Sequence, residues 1–136
     1  FPEDYEYLSS HLQGALPAIS LTSHSALMTA FINDVAADMV FAQQVYGYAK
    51  KCDVLIGIST SGNACNVINA IKIAKAFNIK TIGMTGQSGG LIKEFCDVTI
   101  RVPEAETYKI QEYHLLVYHA ICAMLEAEFF KSNDLL

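Results

Sequence analysis

The sequence predicts a three-layer α/β fold, a parallel β-sheet with helices on both faces, and three observations lead to it. Short apolar runs rich in β-branched residues alternate with stretches of helical periodicity. The segments between runs are long enough to carry the crossover helix that a parallel strand pair requires. Two of the runs end in turns of glycine and hydroxyl residues that lead into helices, at the strand ends where open α/β sheets bind ligands.

Along the chain, Phe1 to Gln13 is mixed and aromatic-rich and reads as a loop or short helix. Leu16 to Leu21 is an apolar run with Pro17 at its start, where a strand tolerates proline, and is read as a strand. Thr22 and Ser23 are placed to cap a helix carrying Leu27, Met28, Phe31 and Ile32, and a second amphipathic helix is predicted from about Ala37 to Lys50. Val54 to Ile58, bounded by Asp53 and by small polar residues, reads as a central strand buried on both faces. From Ala64 to Phe77 one narrow polar stripe, Asn66, Asn69, Lys72 and Lys75, leaves a wide apolar remainder to pack on a sheet. Lys80 to Thr85 is the next strand. Gly86 to Gly90 then forms a loop into a short helix through Leu91, Ile92 and Phe95, and a strand from Val98 to Val102 stops at Pro103. A long helix is predicted from about Glu106 to Phe130.

Within this frame the turn Ser59, Thr60, Ser61, Gly62 and Asn63 has the chemistry of an anion cradle. A helix start offers unpaired N–H groups and partial positive charge, glycine lets the backbone approach closely, and hydroxyls add donors that can follow a phosphate. An ordinary N-cap is the alternative, but a cap needs one hydroxyl and this turn supplies three. The last helix carries Gln111, His114, Leu115 and Tyr118 on one face. His119 lies eight residues beyond Gln111, two turns along and about 80° around the axis, so the two can converge on one atom where the helix borders a cleft. A histidine among Leu, Val and Tyr also reads as a satisfied core or interface residue. Glu112 reads as a solvated or intersubunit residue, and two ligands alone are fewer than the three that a catalytic zinc site usually draws from protein.

Length and composition fit one domain with a substantial core: 136 residues, 52% hydrophobic and 17% charged. A net charge of −5 with nine scattered Lys and Arg argues against a nucleic-acid-binding face, and no apolar run approaches the roughly 18 residues needed to span a bilayer. Cys52, Cys65, Cys96 and Cys122 lack C-x-x-C spacing. Three of them lie within or beside apolar runs and read as reduced, buried thiols of a cytoplasmic protein.

Three blocks, Asp53 to Asn63, Lys80 to Gly86 with Gly89 and Gly90, and Ile110 to His114 with His119, resemble in their order the sugar isomerase (SIS) domain family, in its phosphoheptose isomerase branch. The resemblance covers roughly Leu16 to Glu128. It implies a five-stranded parallel sheet between helices and a homotetramer with active sites built between subunits. It also implies interconversion of sedoheptulose 7-phosphate with D-glycero-D-manno-heptose 7-phosphate. By resemblance Ser59, Thr60 and Ser61, with Gly62 and Asn63 in the same turn, hold the sugar phosphate. Gln111 and His119 match zinc ligands, with His119 also the catalytic acid/base. The family has further elements upstream: a helix, a first strand, a glycine-rich loop, and a His and a Glu. These have no counterpart in this sequence, which is read as one SIS domain lacking its usual N-terminal part. Ala64 stands where the isomerases often have serine, and His24 where an acidic residue is expected. The alternative reading is a non-enzymatic SIS protein, a sugar-phosphate sensor or a tetrameric scaffold of the replication-initiator-associating kind.

Overall fold

The structure is a computed structural model and describes residues 1–130. Helices α1 (Tyr5–His11) and α2 (Ser25–Asp34) are followed by a 3-10 turn (Ala37–Met39) and α3 (Val40–Tyr48). Then strands and helices alternate: β1 (Val54–Ile58), α4 (Cys65–Ala76), β2 (Lys80–Thr85), α5 (Ile92–Phe95), β3 (Val98–Arg101) and α6 (Thr107–Phe129). The strands form one parallel sheet in the order β1-β2-β3, with Gly57 opposite Gly83 and Thr85 opposite Arg101.

The register of those two glycines sets one layer. A Cβ on Gly57 would stand 3.0 Å from side-chain atoms of both Val67 and Ile71, and one on Gly83 would stand 3.0 Å from the Cys96 sulfur. Without side chains there, α4 and α5 press directly on the sheet. Ile71 and Ala74 are fully buried, and Ala70, Ala74 and Ile79 join Val45 of α3 in the core. By strand alternation Ile82 and Met84 point to the opposite face. Helix α6 lies on that side, touching β2 alone among the elements.

Four sequence expectations are corrected. Leu16 to Leu21 forms no strand: it finds no pairing partner among the described residues, and a strand requires a ladder. Second, β1 lies at the edge of the sheet among the described residues and not at its centre. Its face away from α4 is open, with Val54, Ile56 and Ile58 each about half exposed, because α6 covers only β2. Neither Thr22 nor Ser23 caps α2, whose N-cap is His24 without a side-chain cap bond. The cysteines are unpaired as expected but not buried: Cys52, Cys65 and Cys122 are exposed. Cys96 is half-buried, and that burial pushes its thiol pKa up.

Two devices hold the ends of the sheet. At the N-terminal end Asp97 clips α4 to β2. Its carboxylate accepts from Lys75 Nζ at 3.0 Å, from the Thr81 N–H at 2.8 Å and from the Thr81 hydroxyl at 2.9 Å. The Lys75 ammonium first, then the Thr81 donors, hold the Asp97 pKa down at about 2. At the C-terminal end the turn after β1 and the loop after β2 interlock through their backbones. Gly62 (φ +69°) packs on the Gly89 carbonyl, and Gly90 (φ +52°) packs on the Ser61 carbonyl and on Gly62 itself. Hydrogen bonds close the joint: Ile92 N–H to the Gly62 carbonyl at 2.9 Å, Gly86 N–H to the Thr60 carbonyl at 3.0 Å, and Leu91 N–H to Asn63 Oδ1 at 2.9 Å.

Each device gives a testable outcome. A carboxylate whose pKa is depressed on folding stabilises above its unfolded value, 3.8, and that contribution is lost as pH falls towards about 2. Asp97→Asn therefore lowers the melting temperature at pH 7, and the gap to the wild type closes between those two pH values; a gap independent of pH would contradict the assignment. Gly90→Ala drives a Cβ into backbone from a left-handed conformation and is expected to destabilise by about 1–3 kcal/mol in denaturant titration. Gly47→Ala in α3, where a Cβ meets nothing within 4 Å, is expected to leave stability unchanged or raise it by up to about 1 kcal/mol. Equal effects of the two alanines would refute the interlock.

Candidate phosphate cradle and active-site helix

The turn that links β1 to α4 uses its own hydroxyls to fix its shape. Ser59 is buried, its N–H bonds the Met84 carbonyl at 3.0 Å, and its Oγ accepts the Ala64 N–H at 3.4 Å. Ser61 is exposed and its Oγ accepts the Asn63 N–H at 3.2 Å. The Thr60 carbonyl accepts both the Gly86 N–H and, at 3.3 Å, the Thr85 hydroxyl. The Gly62 N–H closes on the Ser59 carbonyl at 3.0 Å. Among the described residues this leaves the N–H groups of Thr60, Ser61, Cys65 and Asn66 without an acceptor, at the positive end of a 12-residue helix. A tetrahedral anion is the ligand that such a set of donors suits.

The structure separates the residues of that turn by task. Thr60 and Ser61 keep free N–H groups among the described residues, while Ser59 is buried and gives its N–H to the Met84 carbonyl. Gly62 and Asn63 act on the joint instead, Gly62 by its packed backbone and Asn63 by capping Leu91. Beside the joint a Cβ on Gly89 would meet the aliphatic stems of Lys93 and Arg101, and Lys93 Nζ donates to the Ser88 carbonyl at 3.1 Å.

Helix α6 begins beside the cradle for reasons the sequence shows only in part. The Glu104 carbonyl accepts the Gln87 N–H at 2.9 Å, fastening the segment before α6 to the loop after β2. Its carboxylate accepts the N–H groups of Ala105 at 2.7 Å and Glu106 at 3.1 Å, and these two bonds hold its pKa below the usual carboxylate range. Sequence reasoning passed over Glu104. Its signal was an acidic side chain shortly ahead of a helix start, although its bonds go to the two residues before the helix. One turn into α6, Ile110 fills the space over Gly86, its Cδ1 2.5 Å from where a Cβ would be. Because Gly86 bonds Thr60, the first turns of α6 lie next to the cradle.

Gln111 and His119 are both exposed on α6, with His119 edge-on to the Tyr118 ring at 5.0 Å. His119 lies about 12 Å beyond Gln111 along the axis, at 1.5 Å per residue. The structure therefore sets Gln111 near the cradle of its own chain and His119 two turns further off. The imidazole and amide oxygen are donors that suit a divalent ion, but among the described residues no group of three or more His, Cys, Asp or Glu could hold a metal. His114 is buried, at 3% exposure, and is not a satisfied core residue: neither ring nitrogen has a hydrogen-bond partner among the described residues. His24, half-buried, stacks on Tyr48 at 5.4 Å between ring centres. No helix among the described residues is long and apolar enough to cross a membrane.

Comparison with known proteins agrees with this architecture. The SIS domain family model matches residues 18–129. The phosphoheptose isomerase of Aliarcobacter butzleri is 45% identical over 132 residues, 92% of this chain and 70% of that protein. The probable phosphoheptose isomerase of Thermoplasma acidophilum is 48% identical over 114 residues, 84% of this chain and 63% of that protein. Among solved structures, the phosphoheptose isomerase of Neisseria gonorrhoeae superposes with a TM-score of 0.79 at 40% identity, covering 90% of this chain and 69% of that one. With the parallel sheet, the glycine-locked cradle and the helix that follows β3 all in place, the chain belongs to the SIS domain family.

Proposed function

We propose that this chain acts as a phosphoheptose isomerase, converting sedoheptulose 7-phosphate to D-glycero-D-manno-heptose 7-phosphate. The observation that carries the proposal is the cluster of free N–H donors at the start of α4, on a chain so similar to relatives named for that activity. The reaction moves a proton between C1 and C2 through an enediol, while a second proton passes between the two oxygens. Binding the distant phosphate orients the reacting carbons without taking part in bond changes. Ser59, Thr60 and Ser61 hold the phosphate, with Gly62 and Asn63 keeping the turn in shape. His119 accepts and returns the proton, a role an imidazole fills near neutral pH. Gln111 and His119 would contribute two donors to a zinc or other divalent ion, which when bound polarises the sugar oxygens.

The proposal includes a homotetramer with shared active sites. Two features support it. Of the 23 residues of α6 only Ile110 and His114 are buried, although Leu115, Leu116, Met124 and Leu125 are apolar. Gln111 and His119 are also exposed on α6, so groups from a neighbouring chain are the natural completion of the site that the two share. We further propose a cytoplasmic location, which the four unpaired thiols support.

The test is turnover of sedoheptulose 7-phosphate by the full-length protein with zinc supplied. His119→Ala is expected to lower turnover about 10²-fold or more while leaving phosphate affinity nearly intact. Ser59→Ala with Ser61→Ala is expected to weaken sugar-phosphate binding by roughly 1–3 kcal/mol. A wild type that binds the sugar phosphate without isomerising it would turn the reading to the non-enzymatic sensor or scaffold. Light scattering at micromolar concentration is expected to give four times the monomer mass, and a stable monomer would remove the shared site.

A further inference from the structure

Helix α6 holds one buried titratable side chain that the proposed reaction leaves unused. His114 is 3% exposed, and both Nδ1 and Nε2 are enclosed without a hydrogen-bond partner among the described residues. It lies one turn after Ile110 on the same stripe, the stripe that meets the side of β2 carrying Ile82 and Met84, and Met84 is fully buried. An imidazole always presents one N–H and one lone pair, or two N–H groups when charged, and enclosing either unpaired is unfavourable. Leucine or methionine would anchor the helix there without that penalty. The imidazole is therefore not explained by packing.

Its position suggests what it serves. Ile110 and His114 are the only buried residues of α6, so His114 is the last point at which the helix is seated before the exposed length that carries His119. Gln111 precedes it by three residues and His119 follows by five. Whatever fixes the rotation and depth of the helix at His114 fixes both groups at once.

We infer that His114 is a positioning residue of the proposed isomerase site: its ring takes a hydrogen bond in the working enzyme and thereby sets α6 so that Gln111 and His119 meet the substrate. The inference rests on the isomerase reading. A positioning residue acts on the chemical step through geometry, and a misplacement of about 1 Å can lower a rate by 10²-fold. Binding of the phosphate, held by the turn after β1, is untouched.

The experiment uses the full-length enzyme, sedoheptulose 7-phosphate, and the variants His114→Leu and His114→Gln. His114→Leu removes the unpaired ring and is expected to melt no lower than the wild type. Its KM should stay within about threefold while kcat falls by about tenfold or more. His114→Gln, which restores hydrogen bonding, is expected to regain at least about threefold of the lost kcat. Should His114→Leu fail to fold, kcat of His114→Gln alone decides, and a value within threefold of wild type with unchanged KM supports the role. Wild-type kcat in His114→Leu overturns the inference and leaves the isomerase reading standing. A loss in melting temperature, KM and kcat together that glutamine does not reverse assigns His114 to packing alone. A wild type without turnover overturns both.

Discussion

The close approach of two backbones at the C-terminal ends of β1 and β2 is the constraint on which the rest of the site depends. Gly62, Gly89 and Gly90 all take left-handed conformations, and two of them rest on carbonyls of the facing loop, so neither loop can move without the other. The joint decides which N–H groups are consumed and which are left over. Gly86 and Ile92 spend theirs on Thr60 and Gly62 carbonyls, while those of Thr60, Ser61, Cys65 and Asn66 find no acceptor among the described residues. The cradle is in this sense the residue of a packing solution. Its donors are prearranged because the backbone around them is already committed elsewhere.

The sheet distributes its two faces unequally. The side under α4 and α5 carries glycine and threonine, with Gly57, Gly83, Thr81 and Thr85 all buried, and lets helices approach closely. The opposite side carries Val54, Ile56, Ile58, Ile82 and Met84, an apolar surface that α6 covers only over β2. That asymmetry, together with the apolar outer surface of α6, is what a surface shaped for further protein contact looks like.

Much of this was legible from residues alone, and the exceptions have physical reasons. Strand and helix alternation from Val54 to Phe129 follows from periodicity, and β1, β2 and β3 fall where the apolar runs were. The cradle turn was legible because hydroxyls and glycine concentrate between a strand and a helix. Leu16 to Leu21 misled because an apolar run states a preference for extension, whereas a strand needs a neighbour, and pairing is non-local. The same limit applies to β1, whose composition reports a preference for an apolar environment but not its place in the sheet, where Val54, Ile56 and Ile58 stay about half exposed. The unpaired burial of His114 and the bonding of Glu104 escaped the sequence for different reasons. Burial without a partner is a property of three dimensions, and a carboxylate that caps two N–H groups looks in sequence like any acidic residue in a loop.

The way α6 is attached also bears on how the molecule moves. Helix α4 touches α3, α5, β1 and β2 and the 3-10 turn, all within one contiguous stretch of chain, whereas α6 touches β2 alone. Such a unit can form as a cooperative block from local contacts, with little loop-closure entropy, while α6 docks onto it afterwards. Amide protons in the block then exchange only on global opening, and those of α6 beyond His114 exchange through a separate, lower-energy opening. The helix bearing Gln111 and His119 is thus free to be ordered by whatever it meets, at no expense to the stability of the sheet that holds the phosphate turn.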